Sequence, residues 1–158
     1  MKKKMFALFA VMMMAATAFA QFENGKYYLN ASLSGIDLNY DKGEKWKVDV
    51  SGKLGYMFAD NWMVLANMEY GYHNELSTLK IGPALRYYII QNGVYLGAGA
   101  NYVHRPVSFN DIMPNLSVGY AFFLNGMLTV EPEIYYNHSF KNHDYSGIGL
   151  RVGLGVYF

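Results

Sequence analysis

The chain of 158 residues contains no cysteine. This absence excludes disulfide bonds, thiol chemistry and the cysteine-linked lipid anchor of a lipoprotein. Beyond the first 20 residues, no segment approaches the roughly 20 consecutive apolar residues that a transmembrane helix needs. The chain also lacks a large excess of positive or negative charge. When Lys2, Lys3 and Lys4 are set aside, 10 basic residues remain against 12 acidic ones. We therefore expect neither a nucleic-acid partner nor a polybasic patch on a membrane surface.

The first 20 residues have the three parts of a secretory signal peptide. Three lysines precede an apolar run, and Ala18-Phe19-Ala20 provides a cleavage site of the small-x-small type. The apolar run is shorter than a helix that spans a bilayer. We therefore expect residues 1–20 to be removed before Gln21. Residues 21–158 contain no linker or low-complexity tract, and we expect them to form one domain.

The rest of the chain is rich in residues that build strands and turns. With 15 tyrosines, 10 phenylalanines and 16 glycines, the composition is far from that of an average soluble protein. Apolar and polar residues alternate in eight segments that are separated by turn-type residues, a pattern that predicts eight strands. The predicted strands are residues 26–40, 45–58, 62–73, 77–89, 94–104, 113–123, 127–139 and 149–158.

The residues between and within these segments refine the prediction. Asn92-Gly93, before the fifth strand, is the strongest hairpin signal in the chain. A longer connection that includes Arg105 and Asp111 is expected between the fifth and sixth strands. Pro83 and Pro132 lie inside strands four and seven, and we expect β-bulges there because proline cannot donate a hydrogen bond to a sheet.

Each segment has one apolar face and one face of small or charged residues. The small face is rich in glycine, alanine and serine. It also carries five cations and four anions, a nearly balanced set that suits a closed interior, where charges must be paired. These nine residues are Lys47, Lys53, Lys80, Arg86, Arg151, Asp49, Glu69, Glu131 and Glu133.

Eight antiparallel strands predict an all-β, up-and-down barrel, because closure removes the exposed edges of the sheet. In a soluble lipocalin-like carrier the apolar face would point inward, whereas in a transmembrane β-barrel it would face lipid. An eight-stranded barrel has room only for its own side chains, which favours small residues inside. Aromatic residues on the apolar face also form two groups, as in membrane girdles. One group is Tyr56, Phe58, Trp62, Tyr87, Tyr120, Phe122 and Phe158, and the other is Tyr70, Tyr72, Tyr102 and Tyr136.

The sequence resembles the small eight-stranded outer-membrane barrels of Gram-negative bacteria, the family typified by OmpA and OmpX. The resemblance lies in the strand architecture and extends over the whole mature chain. Its most specific element is a C-terminal pattern, polar-x-Gly-x-x-apolar-x-aromatic, which Arg151, Gly153, Val156 and Phe158 match. The resemblance implies a monomer in the cell outer membrane with both termini in the periplasm. It implies that the barrel assembly machinery reads the last strand, and that outer-membrane lipid and lipopolysaccharide are partners.

The resemblance also implies a structural or interaction role without catalysis. That role is either envelope integrity or surface contact through the outer loops. The four predicted outer loops are short, unlike those of many adhesive relatives, which weakens a direct transfer of adhesion. A narrow channel is not expected, because charged side chains fill so small a lumen.

Some barrels of this architecture are enzymes that modify lipid A, and one of them uses a His-x-Ser pair. Here His138 and Ser139 are adjacent, so a strand places them on opposite faces, and we expect no enzyme. His73, His104, His138 and His143 all fall near the predicted outer rim. Alternation turns His73 inward and His104 and His138 outward, so only His138 and His143 are candidates for one shared metal ion. We predict no catalytic residue, no cofactor and no metal site, and leave that last pair open.

Overall fold

The computed structural model describes residues 22–37, 48–73, 76–89, 93–105, 109–141 and 146–158. The predicted leader lies outside these ranges. The described residues form nine β-segments and no helix. In chain order the segments are β1 (Tyr27–Asp37), β2 (Val48–Ala59), β3 (Trp62–His73), β4 (Leu76–Tyr88), β5 (Val94–Arg105), β6 (Phe109–Tyr120), β7 (Phe122–Phe123), β8 (Leu128–Asn137) and β9 (Gly147–Tyr157).

The nine segments make one closed barrel of eight antiparallel strands. β1 to β6 pair in chain order, β8 pairs with β9, and β9 returns to β1. The ring closes where β6 pairs with β8, from Asn115 opposite Asn137 to Gly119 opposite Glu133. β7 follows β6 along the same edge of β8 and is therefore the end of the sixth strand. The predicted all-β, up-and-down barrel is confirmed.

The predicted strand bounds agree well with the structure except in the sixth strand. The third prediction, residues 62–73, coincides with β3. The sequence predicts a sixth strand that begins at Met113, but β6 begins at Phe109, and Asp111 lies within it opposite Val103. Asn110 and Asp111 are consecutive polar residues that point to opposite faces. They interrupt the apolar alternation on which the prediction relied.

The bulges predicted at Pro83 and Pro132 are wrong. Each proline keeps a regular register with one neighbouring strand, β3 for Pro83 and β9 for Pro132. On its other side, Pro132 lies between two paired residues of β8. Glu133 pairs with Gly119 at the end of β6, and Val130 pairs with Phe122 in β7. Because proline has no N–H, it interrupts the ladder there without shifting the register. Register shifts occur instead between Ser34 and Ile36 in β1 and between Met57 and Ala59 in β2.

Along the strands, polar and small side chains are buried inside the barrel, and apolar side chains are exposed on its outer face. This arrangement is the reverse of that in a soluble protein. In β2, Ser51 and Lys53 are buried, whereas Val50 and Leu54 are exposed. The same inversion holds around the barrel, because successive side chains in a strand point to opposite faces. The exposed outer face includes Leu33, Ile81, Leu85, Leu96, Ile112, Leu116, Ile134, Val152 and Leu154.

Both described chain ends lie at the same end of the barrel, which we call the terminal end. Phe158 donates its N–H to the oxygen of Tyr27, and Phe22 accepts a hydrogen bond from the N–H of Asn61 in the turn between β2 and β3. Asn61 and Gly93 adopt positive φ angles of 65° and 89° in the short turns at this end. Asparagine and glycine tolerate this backbone conformation best. The opposite end is called the loop end.

The apolar core lies inside the barrel at the terminal end. It is a cluster of aromatic and aliphatic side chains that close the lumen beneath the charged residues. Its buried members are Phe22, Tyr28, Met57, Met63, Leu65, Tyr88, Tyr95, Ala121 and Tyr157. Strand alternation gives Tyr95 and Tyr157 the same parity as Gly97 and Arg151 on the inner face, whereas no sequence pattern indicates that Phe22 enters the barrel.

Candidate functional site: the polar lumen

The charged residues predicted for the inner face meet in the middle of the lumen. β2 supplies Lys53, β4 supplies Arg86, β8 supplies Glu131 and Glu133, and β9 supplies Arg151. All but Arg151 are buried, and the Arg151 side chain is 11% exposed. Lys47 lies outside the described residues. Period-two alternation on separate strands has therefore brought these side chains to one place.

Two carboxylates hold three cations at the centre of this cluster. Glu131 Oε2 accepts from Arg86 Nη1 at 2.9 Å. Both oxygens of Glu133 accept from Lys53 Nζ, at 2.9 and 2.8 Å, and Glu133 Oε2 also lies 3.4 Å from Arg86 Nη2. Arg151 Nη1 approaches Glu133 Oε1 at 3.5 Å. Buried charges are stable only when they are paired in this way.

A third carboxylate extends the network toward the loop end. Glu69 Oε2 accepts from Arg151 Nη2 at 3.0 Å, and Glu69 Oε1 accepts from Lys80. The Lys80 side chain is 19% exposed, so this part of the network is the least buried. In this network, four cations contact three carboxylates. Seven of the nine charged residues predicted for the inner face thus form specific ion pairs in the lumen.

Tyrosines surround the central guanidinium. Arg86 Nη1 donates to the hydroxyls of Tyr28 at 3.2 Å and Tyr88 at 3.1 Å, and the Arg86 guanidinium carbon lies 3.8 Å from the Tyr95 ring centroid. The hydroxyls of Tyr28 and Tyr157 donate in turn to Glu131, at 2.6 and 3.0 Å. A phenol supplies both a hydrogen bond and an apolar ring. These tyrosines therefore join the apolar core to the paired charges of Lys53, Arg86, Glu131, Glu133 and Arg151, which we call the ionic layer. Sequence patterns did not identify Tyr28 and Tyr88 as members of this cluster.

A polar cavity lies on the loop side of the ionic layer. It has a volume of about 30 Å³, and its walls include Asn67, Asn101, Asn115 and Ser117. The side-chain oxygens of Asn67 and Asn101 and the Nδ2 atom of Asn115 make no hydrogen bond with the described residues. These three polar atoms therefore add no side-chain hydrogen bond to the walls of the cavity.

In the structure, Ser139 and His138 do not pair with each other. Ser139 is buried and donates to Asp111, whereas His138 lies on the outer side near Tyr136, with 3.3 Å between His138 Nδ1 and the Tyr136 hydroxyl. His104 Nδ1 is 2.9 Å from the side-chain oxygen of Asn110. The His73 side chain and His143 lie outside the described part of the chain, so the His138 and His143 pair stays untested. Among the described residues, no group of three or more His, Cys, Asp or Glu side chains is placed to hold a metal ion.

Aromatic residues on the outer face form rims at the two ends of the barrel. At the terminal end, Trp62 packs on Tyr87 with 4.8 Å between ring centroids, and Tyr120 packs on Phe122 at 4.2 Å. Tyr27, which the predicted group did not include, joins this rim beside Tyr56 at 5.2 Å. At the loop end the exposed aromatics include Tyr70, Tyr102, Tyr136 and Phe140. The Tyr72 side chain lies outside the described residues.

A closed barrel with ion pairs inside, an apolar outer face and an aromatic rim at each end is a transmembrane β-barrel. More specifically, the chain belongs to the outer membrane protein beta-barrel domain family, whose model matches residues 6–158. The protein is located in the outer membrane. Within the described residues, no helix is long and apolar enough to span a membrane.

Solved structures of outer-membrane proteins have the same fold. The N-terminal barrel domain of OprF from Pseudomonas aeruginosa is 13% identical with a TM-score of 0.68, covering 85% of this chain and 98% of that one. Neisserial surface protein A is 15% identical with a TM-score of 0.66, covering 85% and 100%. Ail from Yersinia pestis, in a phospholipid bilayer nanodisc, is 13% identical with a TM-score of 0.60, covering 85% and 100%. No curated protein matches the sequence significantly. At these identities the likeness shows the fold alone.

Proposed function

We propose that this protein is a non-catalytic, monomeric structural barrel that contributes to the integrity of the outer membrane. The observation that carries the proposal is the filled lumen. Lys53, Arg86, Glu131 and Glu133 come from three separate strands and pair across the middle of the barrel. The aromatic core closes the terminal end below them. Such a barrel offers the membrane a rigid apolar wall around a centre that the described side chains occupy.

The arrangement of polar side chains argues against the enzyme alternative. A serine nucleophile needs a base within hydrogen-bond reach. Ser139 instead donates to Asp111 inside the barrel, and His138 points to the opposite face. The carboxylates of Glu69, Glu131 and Glu133 are engaged by cations or phenols and are not poised as free bases.

The experiment that tests this role is deletion of the gene, followed by measurement of sensitivity to bulky antibiotics and detergents. We expect higher sensitivity in the deletion strain and recovery when the wild-type gene is restored. Unchanged sensitivity would contradict an integrity role. Lipid A whose acyl chains change in the deletion strain would favour the enzyme alternative. Discrete conductance steps of the purified protein in a planar bilayer would favour the channel.

Lipopolysaccharide is the partner we propose for the rim at the loop end. Beyond the end of β8, Phe140 is 73% exposed, and its ring lies 5.1 Å from that of His138. Lys141, which donates to the backbone of Asn110, is exposed beside it. An aromatic ring next to a cation suits the boundary between acyl chains and anionic headgroups.

Thermal stabilisation by added lipopolysaccharide tests this contact in detergent. We expect the double variant F140S/K141Q to lose most of the stabilisation that the wild type shows. The matched control is F58S, since Phe58 is also exposed but lies on the rim at the terminal end. Equal stabilisation of all three proteins would contradict a lipopolysaccharide site at the loop end.

We also propose that the C-terminal strand is the signal by which the barrel assembly machinery inserts the protein. Phe158 pairs with Tyr27 through backbone hydrogen bonds of 2.7 and 3.0 Å, while its ring is exposed. The variant F158A keeps these bonds and removes only the ring. Phe58 is an exposed aromatic at the same end, so F58A is the control. We expect F158A, but not F58A, to lower the amount of protein in the outer membrane, and equal amounts would contradict the proposal.

A further inference from the structure

Phe22 lies inside the lumen although it precedes the first strand. Its side chain is 1% exposed, and its ring stacks on Tyr88 with 3.8 Å between centroids and 15° between planes. Its edges meet the rings of Phe123 at 5.6 Å and Tyr157 at 5.8 Å. Stacked and edge-to-face contacts at these distances are favourable for aromatic pairs. Phe22 thus occupies an aromatic socket at the terminal end.

The residues after Phe22 are fastened to the mouth of the barrel. The oxygen of Phe22 accepts from the N–H of Asn61 at 2.9 Å, and the N–H of Asn24 donates to Asp60 Oδ1 at 3.0 Å. Gly25 donates its N–H to Met57 at 2.8 Å. Gly25 has a φ of 92°, a conformation that other residues rarely adopt, and here the chain leads from the lumen to β1. The entry of Phe22 is therefore held by specific backbone bonds.

The three rings that contact Phe22 come from distant parts of the barrel. Tyr88 ends β4, Phe123 ends β7 and Tyr157 ends β9. None of these three segments pairs with another of them. The socket is therefore complete only when the barrel has closed, and Phe22 then connects strands that no sheet hydrogen bond joins.

We propose that Phe22–Lys26 is a strap that closes the terminal mouth of the lumen, with the Phe22 ring as its stopper. The strap keeps water-soluble molecules away from the inner aromatic core and braces the three strand ends. This inference concerns access to the lumen and does not depend on the proposed role in envelope integrity. It predicts that loosening the strap exposes the socket while the barrel stays folded.

Cysteine labelling tests the strap cleanly because the chain has no cysteine of its own. Ala121 is buried in the cluster that contains Phe22, so A121C places a thiol behind the stopper. We expect F22A to increase the labelling rate of the A121C thiol by a hydrophilic maleimide by about tenfold or more, since labelling follows the open population. E23A is the control within the strap, because Glu23 is exposed, and it should leave the rate unchanged.

Two further measurements separate the strap from general unfolding. A thiol at the exposed turn residue Asn125, in N125C, should react at the same rate with and without F22A. D60A removes the side-chain bond to Asn24 and leaves every ring in place, so it should accelerate labelling of the A121C thiol less than F22A does. Should F22A fail to fold, D60A still decides the matter. Unchanged labelling of the A121C thiol in the folded variants would overturn the proposal.

Discussion

Replacing Arg86 by methionine should destabilise the barrel more than any other single loss of a lumenal cation. Arg86 is 1% exposed, and its guanidinium bonds Glu131 and two tyrosine hydroxyls. Methionine has a similar length but no charge and no donor. The variant R86M therefore leaves Glu131 buried without a cation, while Glu133 keeps Lys53 at 2.8 Å.

The size of the effect follows from which groups lose their partners. Removal of one member of a buried ion pair typically costs about 3–5 kcal/mol. Glu131 retains the hydroxyls of Thr129, Tyr28 and Tyr157, which offset part of the loss. We therefore expect R86M to lower the free energy of unfolding by about 3 kcal/mol. The matched control K80M should cost about 1 kcal/mol or less, because Lys80 is partly exposed and Glu69 keeps Arg151.

Reversible unfolding by guanidinium in phospholipid vesicles, followed by tryptophan fluorescence, measures these differences. E131Q and the double variant R86M/E131Q complete a mutant cycle. We expect the double variant to lose about 1–3 kcal/mol less unfolding free energy than the two single variants lose in sum. The reason is that the neutral glutamine of E131Q no longer needs a cation. Additive losses in the mutant cycle, or equal losses in R86M and K80M, would refute the claim that the buried pair of Arg86 and Glu131 is a major source of the barrel's stability.

Two further predictions concern backbone packing and the closing seam. The variant G119A should lower the free energy of unfolding by about 1–3 kcal/mol, because an added Cβ would collide with the Tyr95 ring. In guanidinium titrations the control G126A should be nearly neutral, as Gly126 has open space, and equal effects would argue against the close contact. Amide hydrogen exchange should be faster around Ala121, where the ladder breaks opposite β8, than in the middle of β3. Equal protection of both regions would contradict the claim that the pairing of β6 and β7 with β8 is the weakest part of the barrel.

The strands and their two faces could be predicted from the sequence because each depends on a local pattern. Period-two alternation assigned Lys53, Arg86, Glu131 and Glu133 to the interior, and the structure buries all four. Turn residues such as Gly93 bounded the strands, since a positive φ is a local requirement.

The pairing of side chains inside the barrel could not be predicted in the same way. Lys53 meets Glu133 across 80 positions of sequence, and which carboxylate it reaches depends on how every strand is staggered around the ring. Phe22 gave no signal because it precedes the first alternating segment. The prolines misled the prediction because loss of an N–H can interrupt a ladder without changing its register.

The central claim is that the apolar outer face lies against lipid. Nitroxide labels at Leu54 in β2 and Leu154 in β9, both exposed and both inside their strands, test it in vesicles. We expect strong relaxation of both labels by oxygen and weak relaxation by a water-soluble nickel complex, with the reverse for a label at the turn residue Asn125. Relaxation of the Leu54 and Leu154 labels by nickel as strong as at Asn125 would contradict a membrane-embedded barrel.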